Sequence, residues 1–117
     1  MSDALSEFVA GIVREEIVNT PVVANTDILA AAITVTNPST PAVFRIQACF
    51  DAGGILTVRR TNSGATVGEQ LNAGANLAAN ALYTFDIIVT NNDIINLWYG
   101  VNATALGIKI VEIRGMM

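Results

Sequence analysis

Apolar and polar side chains alternate at every second residue along most of this chain, and clusters of Asn, Gly, Pro, Ser and Asp interrupt the alternation at regular intervals. A period of two sends successive side chains to opposite faces of an extended strand, a segregation that helical geometry cannot produce. In residues 27–36, Leu29, Ala31, Ile33 and Val35 share one face, and Asn37-Pro38-Ser39-Thr40-Pro41 breaks the run because proline cannot donate to a ladder. In residues 42–50, Phe44, Ile46, Ala48 and Phe50 oppose Val43, Arg45, Gln47 and Cys49. After the turn Asp51-Ala52-Gly53-Gly54, residues 55–61 place Leu56 and Val58 inward. Residues 65–71 follow the turn Asn62-Ser63-Gly64 as a short strand, and residues 72–80, rich in Ala, Asn and Gly, form a loop or irregular edge. In residues 81–90, Tyr83, Phe85, Ile87 and Val89 line one face, and Leu82, Thr84, Asp86 and Ile88 the other. Beyond Asn91-Asn92-Asp93, residues 94–101 set Ile95, Leu97, Tyr99 and Val101 against Asn96, Trp98 and Gly100. Residues 106–114 set Leu106, Ile108 and Ile110 against Gly107, Lys109, Val111 and Ile113.

About seven to nine short strands with no helix between them predict an all-β fold, an antiparallel β-sandwich or barrel rather than βαβ units. The N-terminus differs. Leu5, Phe8, Val9, Ile12 and Val13 recur at helical spacing, so residues 1–16 read as a short arm or helix and residues 17–117 as the β-sandwich domain. A length of 117 residues suits one domain.

The residue inventory narrows the chemistry. There is no histidine, which removes the commonest general base and metal ligand, and with it any Ser-His-Asp, Cys-His or His-zinc arrangement. Cys49 is the only cysteine, so no intrachain disulfide forms; in its apolar run it reads as a largely buried, inert thiol. The ten carboxylates fall mostly in turns or at strand ends, where solvated or capping roles outnumber paired catalytic ones. Asn91-Asn92-Asp93 reads as a turn rather than a calcium loop, and Arg59-Arg60 as one guanidinium on each side of a strand, suited to a salt bridge or subunit contact. Trp98 and Tyr99 face opposite ways and cannot form one stacking platform. Neither an enzymatic activity, a cofactor nor a metal is expected. With six basic residues and a net charge of −4, nucleic-acid binding is not expected either. The apolar runs are strand-length, too short to span a membrane as a helix, and no basic-then-apolar leader opens the sequence.

Several strands are apolar on both faces. Ile88, Ile94, Trp98, Val111 and Ile113 lie opposite the faces assigned to the core, and Val18, Val22 and Val23 add to them. Only 14% of residues are charged, against roughly 25% in an average soluble domain, so a monomer would expose large apolar patches. The pattern predicts a homo-oligomer with closed symmetry. Its candidate contact residues are Trp98, Val111 and Ile113 on the strands and Phe8, Ile12 and Val13 on the arm.

The run Leu82-Tyr83-Thr84-Phe85-Asp86-Ile87-Ile88-Val89, then Asn91-Asn92-Asp93-Ile94-Ile95-Asn96-Leu97, and the closing residues 106–113, resemble the last strands of trimeric jelly-roll domains of the tumour-necrosis-factor and C1q type. Ile55-Leu56-Thr57-Val58-Arg59-Arg60-Thr61, Glu69-Gln70-Leu71-Asn72 and Asn102-Ala103-Thr104 resemble small β-sandwich virion proteins of tailed viruses of bacteria and archaea, of the head-decoration type. The resemblance covers roughly residues 14–112; Met1 to Val13 depart from the pattern. It implies a single jelly-roll-like sandwich, a trimer, a non-enzymatic role in the virion, assembly in the host cytoplasm, and a major capsid protein or other virion protein as partner. It supplies no catalytic residue to carry over. The rival expectations are a receptor- or carbohydrate-binding module of a viral fibre and a subunit of a self-assembling extracellular filament.

Overall fold

The computed structural model describes residues 11–36 and 42–114. Eight strands are formed: β1 (Ile12–Val22), β2 (Ile33–Thr34), β3 (Ala42–Phe50), β4 (Leu56–Asn62), β5 (Ala65–Gln70), β6 (Tyr83–Val89), β7 (Ile94–Tyr99) and β8 (Ala103–Ile113). They build two four-stranded antiparallel sheets, in the orders β1-β8-β3-β6 and β2-β7-β4-β5. Every connection except the β4–β5 hairpin crosses from one sheet to the other, which is the winding of a jelly roll.

The core lies between the sheets. Phe44, Ile46, Ala48 and Phe50 on β3, with Ile87, Val89, Ile108 and Ile110, face Leu56, Val58, Ile95, Leu97 and Tyr99. The alternation read from the sequence places these side chains correctly on β3, β4, β6 and β7. At one end the Phe50 and Tyr99 rings stack across the sandwich with centroids 3.7 Å apart, and Tyr99 Oη donates to Ala52 O at 2.6 Å. At the other end the buried Glu112 carboxylate accepts from Arg14 and Arg114. Arg14 also donates to Thr34 O at 3.3 Å, which ties the two sheets. A buried carboxylate is tolerated because both partners are charged donors.

Three expectations are corrected. Residues 12–16 belong to β1, not to a helix: Ile12 and Val13 pair with Glu112 and Val111. The register shifts between Val13 and Glu15, so Arg14 is an extra residue that breaks the two-residue period and hides the strand. Leu5, Phe8 and Val9 lie outside the described residues. Residues 27–36 form only the two-residue β2. The rest runs beside β7 on isolated bonds, Ile28 N to Leu97 O at 2.9 Å and Val35 N to Asp93 O at 2.8 Å, and Ala31 is exposed. Finally, a register shift at Cys49/Phe50 takes Leu106 out of the core alternation, and Ala105 fills the inward position.

Candidate functional site

Two outward sheet faces carry what this fold presents to a partner. On the β1-β8-β3-β6 sheet, cross-strand register sets the side chains in rows. Val13, Val111, Arg45 and Asp86 form one row; Glu16, Lys109, Gln47 and Thr84 form the next; Val18, Gly107 and Cys49 form a third. Val43 lies between Ile113 and Ile88 at the near end. Arg45 and Asp86 make a bidentate pair at 2.9 and 3.0 Å. The hydrogen bond from Arg45 holds the Asp86 carboxyl below its ordinary range. Beyond these polar rows the two ends of the face are apolar. Ile88 is 66% exposed, Val18 62% and Leu82 68%. Nothing approaches the Gly107 Cβ position within 4 Å, and the missing side chain opens a hollow of about 400 Å³ bordered by Val18, Cys49, Leu82 and Leu106.

The face of the β2-β7-β4-β5 sheet is different in kind. Trp98 lies across from Thr57, and Asn96 across from Arg59. The Arg59 guanidinium sits 4.0 Å from the centroid of the Trp98 ring, a diagonal cross-strand contact. Trp98 Nε1 donates to Asp27 Oδ1 at 2.7 Å, which fixes the indole plane. Thr61 and Thr66 share a hydroxyl bond of 2.7 Å. Together with Asn96 these groups line a groove of about 380 Å³. Asn96 is its floor: its amide oxygen accepts from Leu29 N and Leu97 N, and its nitrogen donates to Leu29 O.

The second arginine of the Arg59-Arg60 pair works inside the sheet edge. Arg60 donates to Glu69 at 2.6 and 3.2 Å and to Asp93 at 2.9 Å. Asp93 Oδ1 also accepts from Asn62 at 2.7 Å, and its Oδ2 from Thr90 N at 2.9 Å. Burial pushes the Asp93 carboxyl up, but the donors from Asn62, Thr90 and Arg60 outweigh it and hold the group below its ordinary value. Asn91-Asn92-Asp93 is therefore a turn closed by its own aspartate. No group of three or more Asp, Glu, Cys or His able to hold a metal occurs among the described residues.

The expected contact residues do not converge. Val111 and Val13 are neighbours on the first face; Trp98 is on the opposite sheet. Ile12 and Val13 are 56% and 52% exposed, Val111 and Trp98 are half-buried, and Ile113 is buried within its own chain at 5%. Phe8 lies outside the described residues. Cys49 is half-buried at the rim of the hollow rather than in the core. The sequence reading missed the joining of Asp27, Arg59 and Trp98. The parity of Arg59 and Trp98 marks them as outward-facing, but only the β4–β7 register brings them together, and no local pattern places Asp27. No protein-family model matches the chain, and no curated protein matches its sequence.

Proposed function

We propose that this chain is a non-enzymatic structural subunit of a virion, a capsid decoration or cement protein that trimerises and reinforces a shell. The observation that carries the reading is the apolar surround of the first sheet's outer face, where Ile88, Val18 and Leu82 stand in water in the single chain. Each exposed aliphatic side chain contributes roughly 1.5–3 kcal/mol when a neighbour covers it. A repeated array of such modest contacts gains from multivalency, which suits a protein bound in many copies. The jelly roll adds rigidity, since the sheets are joined by the Phe50–Tyr99 stack and by the Arg14 bond to Thr34 O. Fold alone does not assign function, and the virion setting rests on the sequence resemblance.

The test replaces Ile88 and Val18 together by lysine and compares native masses by light scattering. Both sites are exposed in the single chain, so the sandwich stays folded while the oligomer dissociates. An oligomer of unchanged mass in the double variant excludes this face as the contact.

A further inference from the structure

We infer that the groove on the outer face of the β2-β7-β4-β5 sheet is a binding site for an acidic saccharide, a sugar carrying one carboxylate. The inference is independent of assembly through the other sheet. Its centre is Arg59. Arg14, Arg45, Arg60 and Arg114 each pair with a carboxylate, whereas Arg59 has no carboxylate partner among the described residues. Its guanidinium lies over the Trp98 ring at 4.0 Å. Stacking uses the face of a guanidinium and leaves its N–H fork free, and that fork matches a carboxylate bidentately.

The surroundings hold this fork ready. Trp98 is fixed by its bond to Asp27 Oδ1. On the other flank lies Gly68, which pairs with Arg59 across β4 and β5 and sets no side chain beside the guanidinium. The remaining polar atoms want hydroxyl partners. Asp27 Oδ2 accepts no bond among the described residues, and the Thr61–Thr66 hydroxyl pair keeps unused lone pairs. A groove of about 380 Å³ lies at the small end of ligand sites, which run from roughly 300 to 1,000 Å³. A fork for one carboxylate, held by the indole, with acceptors for hydroxyls beside it, describes an acidic sugar. The net charge of −4 and the adjacent Asp27 disfavour phosphate dianions and nucleic acid.

Trp98 is the only tryptophan in the chain, so its indole N–H resonance reports on this groove alone. The experiment titrates the full chain with glucuronate, glucose and acetate and follows that resonance by ¹H–¹⁵N correlation spectroscopy. Glucuronate should shift it saturably, at least tenfold more tightly than either of the other two. Arg59→Gln should remove the preference for glucuronate over glucose while the dispersion of the core amides persists. Asp27→Asn should weaken glucuronate and glucose alike without abolishing the preference. No saturable shift with glucuronate, equal binding of acetate, or an unchanged preference in Arg59→Gln would each overturn the proposal.

Discussion

Truncating Phe50 to alanine should be among the most damaging single changes in this protein. Its ring is 1% exposed, at the end of β3, and stacks on Tyr99 of the facing sheet at 3.7 Å with planes 8° apart. The truncation removes roughly 120 Å² of apolar side chain, worth about 3 kcal/mol at ~25 cal/mol per Å². Loss of the aromatic pair adds about 0.5–1.5 kcal/mol, and the total falls in the 3–5 kcal/mol range of Phe→Ala core truncations. With a urea m-value of about 1.5 kcal/mol/M, the unfolding midpoint should drop by roughly 3 M at fixed protein concentration. Val67→Ala is the control: Val67 is 59% exposed on β5, away from the proposed assembly face, and its midpoint should move by less than about 0.3 M. A double-mutant cycle of Phe50→Leu and Tyr99→Leu should return a coupling of about 0.5–1.5 kcal/mol. Phe50→Ala within about 0.5 M of the parent protein, or no coupling in the cycle, would refute the claim that this stack joins the sheets.

Other consequences are open to measurement. Asp93→Asn leaves Arg60 and the β6–β7 turn short of a charged acceptor and should cost about 2–3 kcal/mol, read from the urea midpoint at pH 7. The folded Asp93 carboxyl lies below its ordinary value of 3.8, so the native state binds fewer protons than the unfolded one; its contribution is complete above about pH 4–5 and is lost as pH falls through the folded value. The midpoint of the parent protein should therefore fall more steeply below pH 4 than that of Asp93→Asn. Tyr99→Phe keeps the stack but leaves Ala52 O without its donor, and should cost about 1 kcal/mol in the same assay. Deleting residues 1–10 should lower the oligomer mass on dilution at unchanged far-ultraviolet circular dichroism, and an unchanged mass would remove the arm from the contact.

Much of the sandwich was legible because strands buried on one face must alternate. Phe44 through Phe50, Tyr83 through Val89 and Ile95 through Tyr99 were each placed on the correct side by parity alone. Two of the failures share one cause: an inserted residue resets parity without leaving a mark on composition. Arg14 did this to β1 and Leu106 to β8. The segment before β2 failed for the opposite reason. Its Leu29, Ile33 and Val35 are buried as a strand's would be, but the Leu29 main chain bonds to the Asn96 side chain, and only Ile33 and Thr34 pair as strand. The apolar second face was also visible as a pattern, since Ile88 and Val18 are exposed as expected, whereas Ile113 is enclosed by its own chain. The groove around Trp98 joins residues 27, 59 and 98, and a site assembled from three distant segments is readable only after the register is known.

The central proposal is that the exposed face of the β1-β8-β3-β6 sheet is an assembly surface. The most direct test is the mass of the unmodified protein in solution, by light scattering after size exclusion at two concentrations. The account predicts a stable species of about 37 kDa, three times the 12.3 kDa chain, at both concentrations. A monomer of 12.3 kDa at both would contradict it.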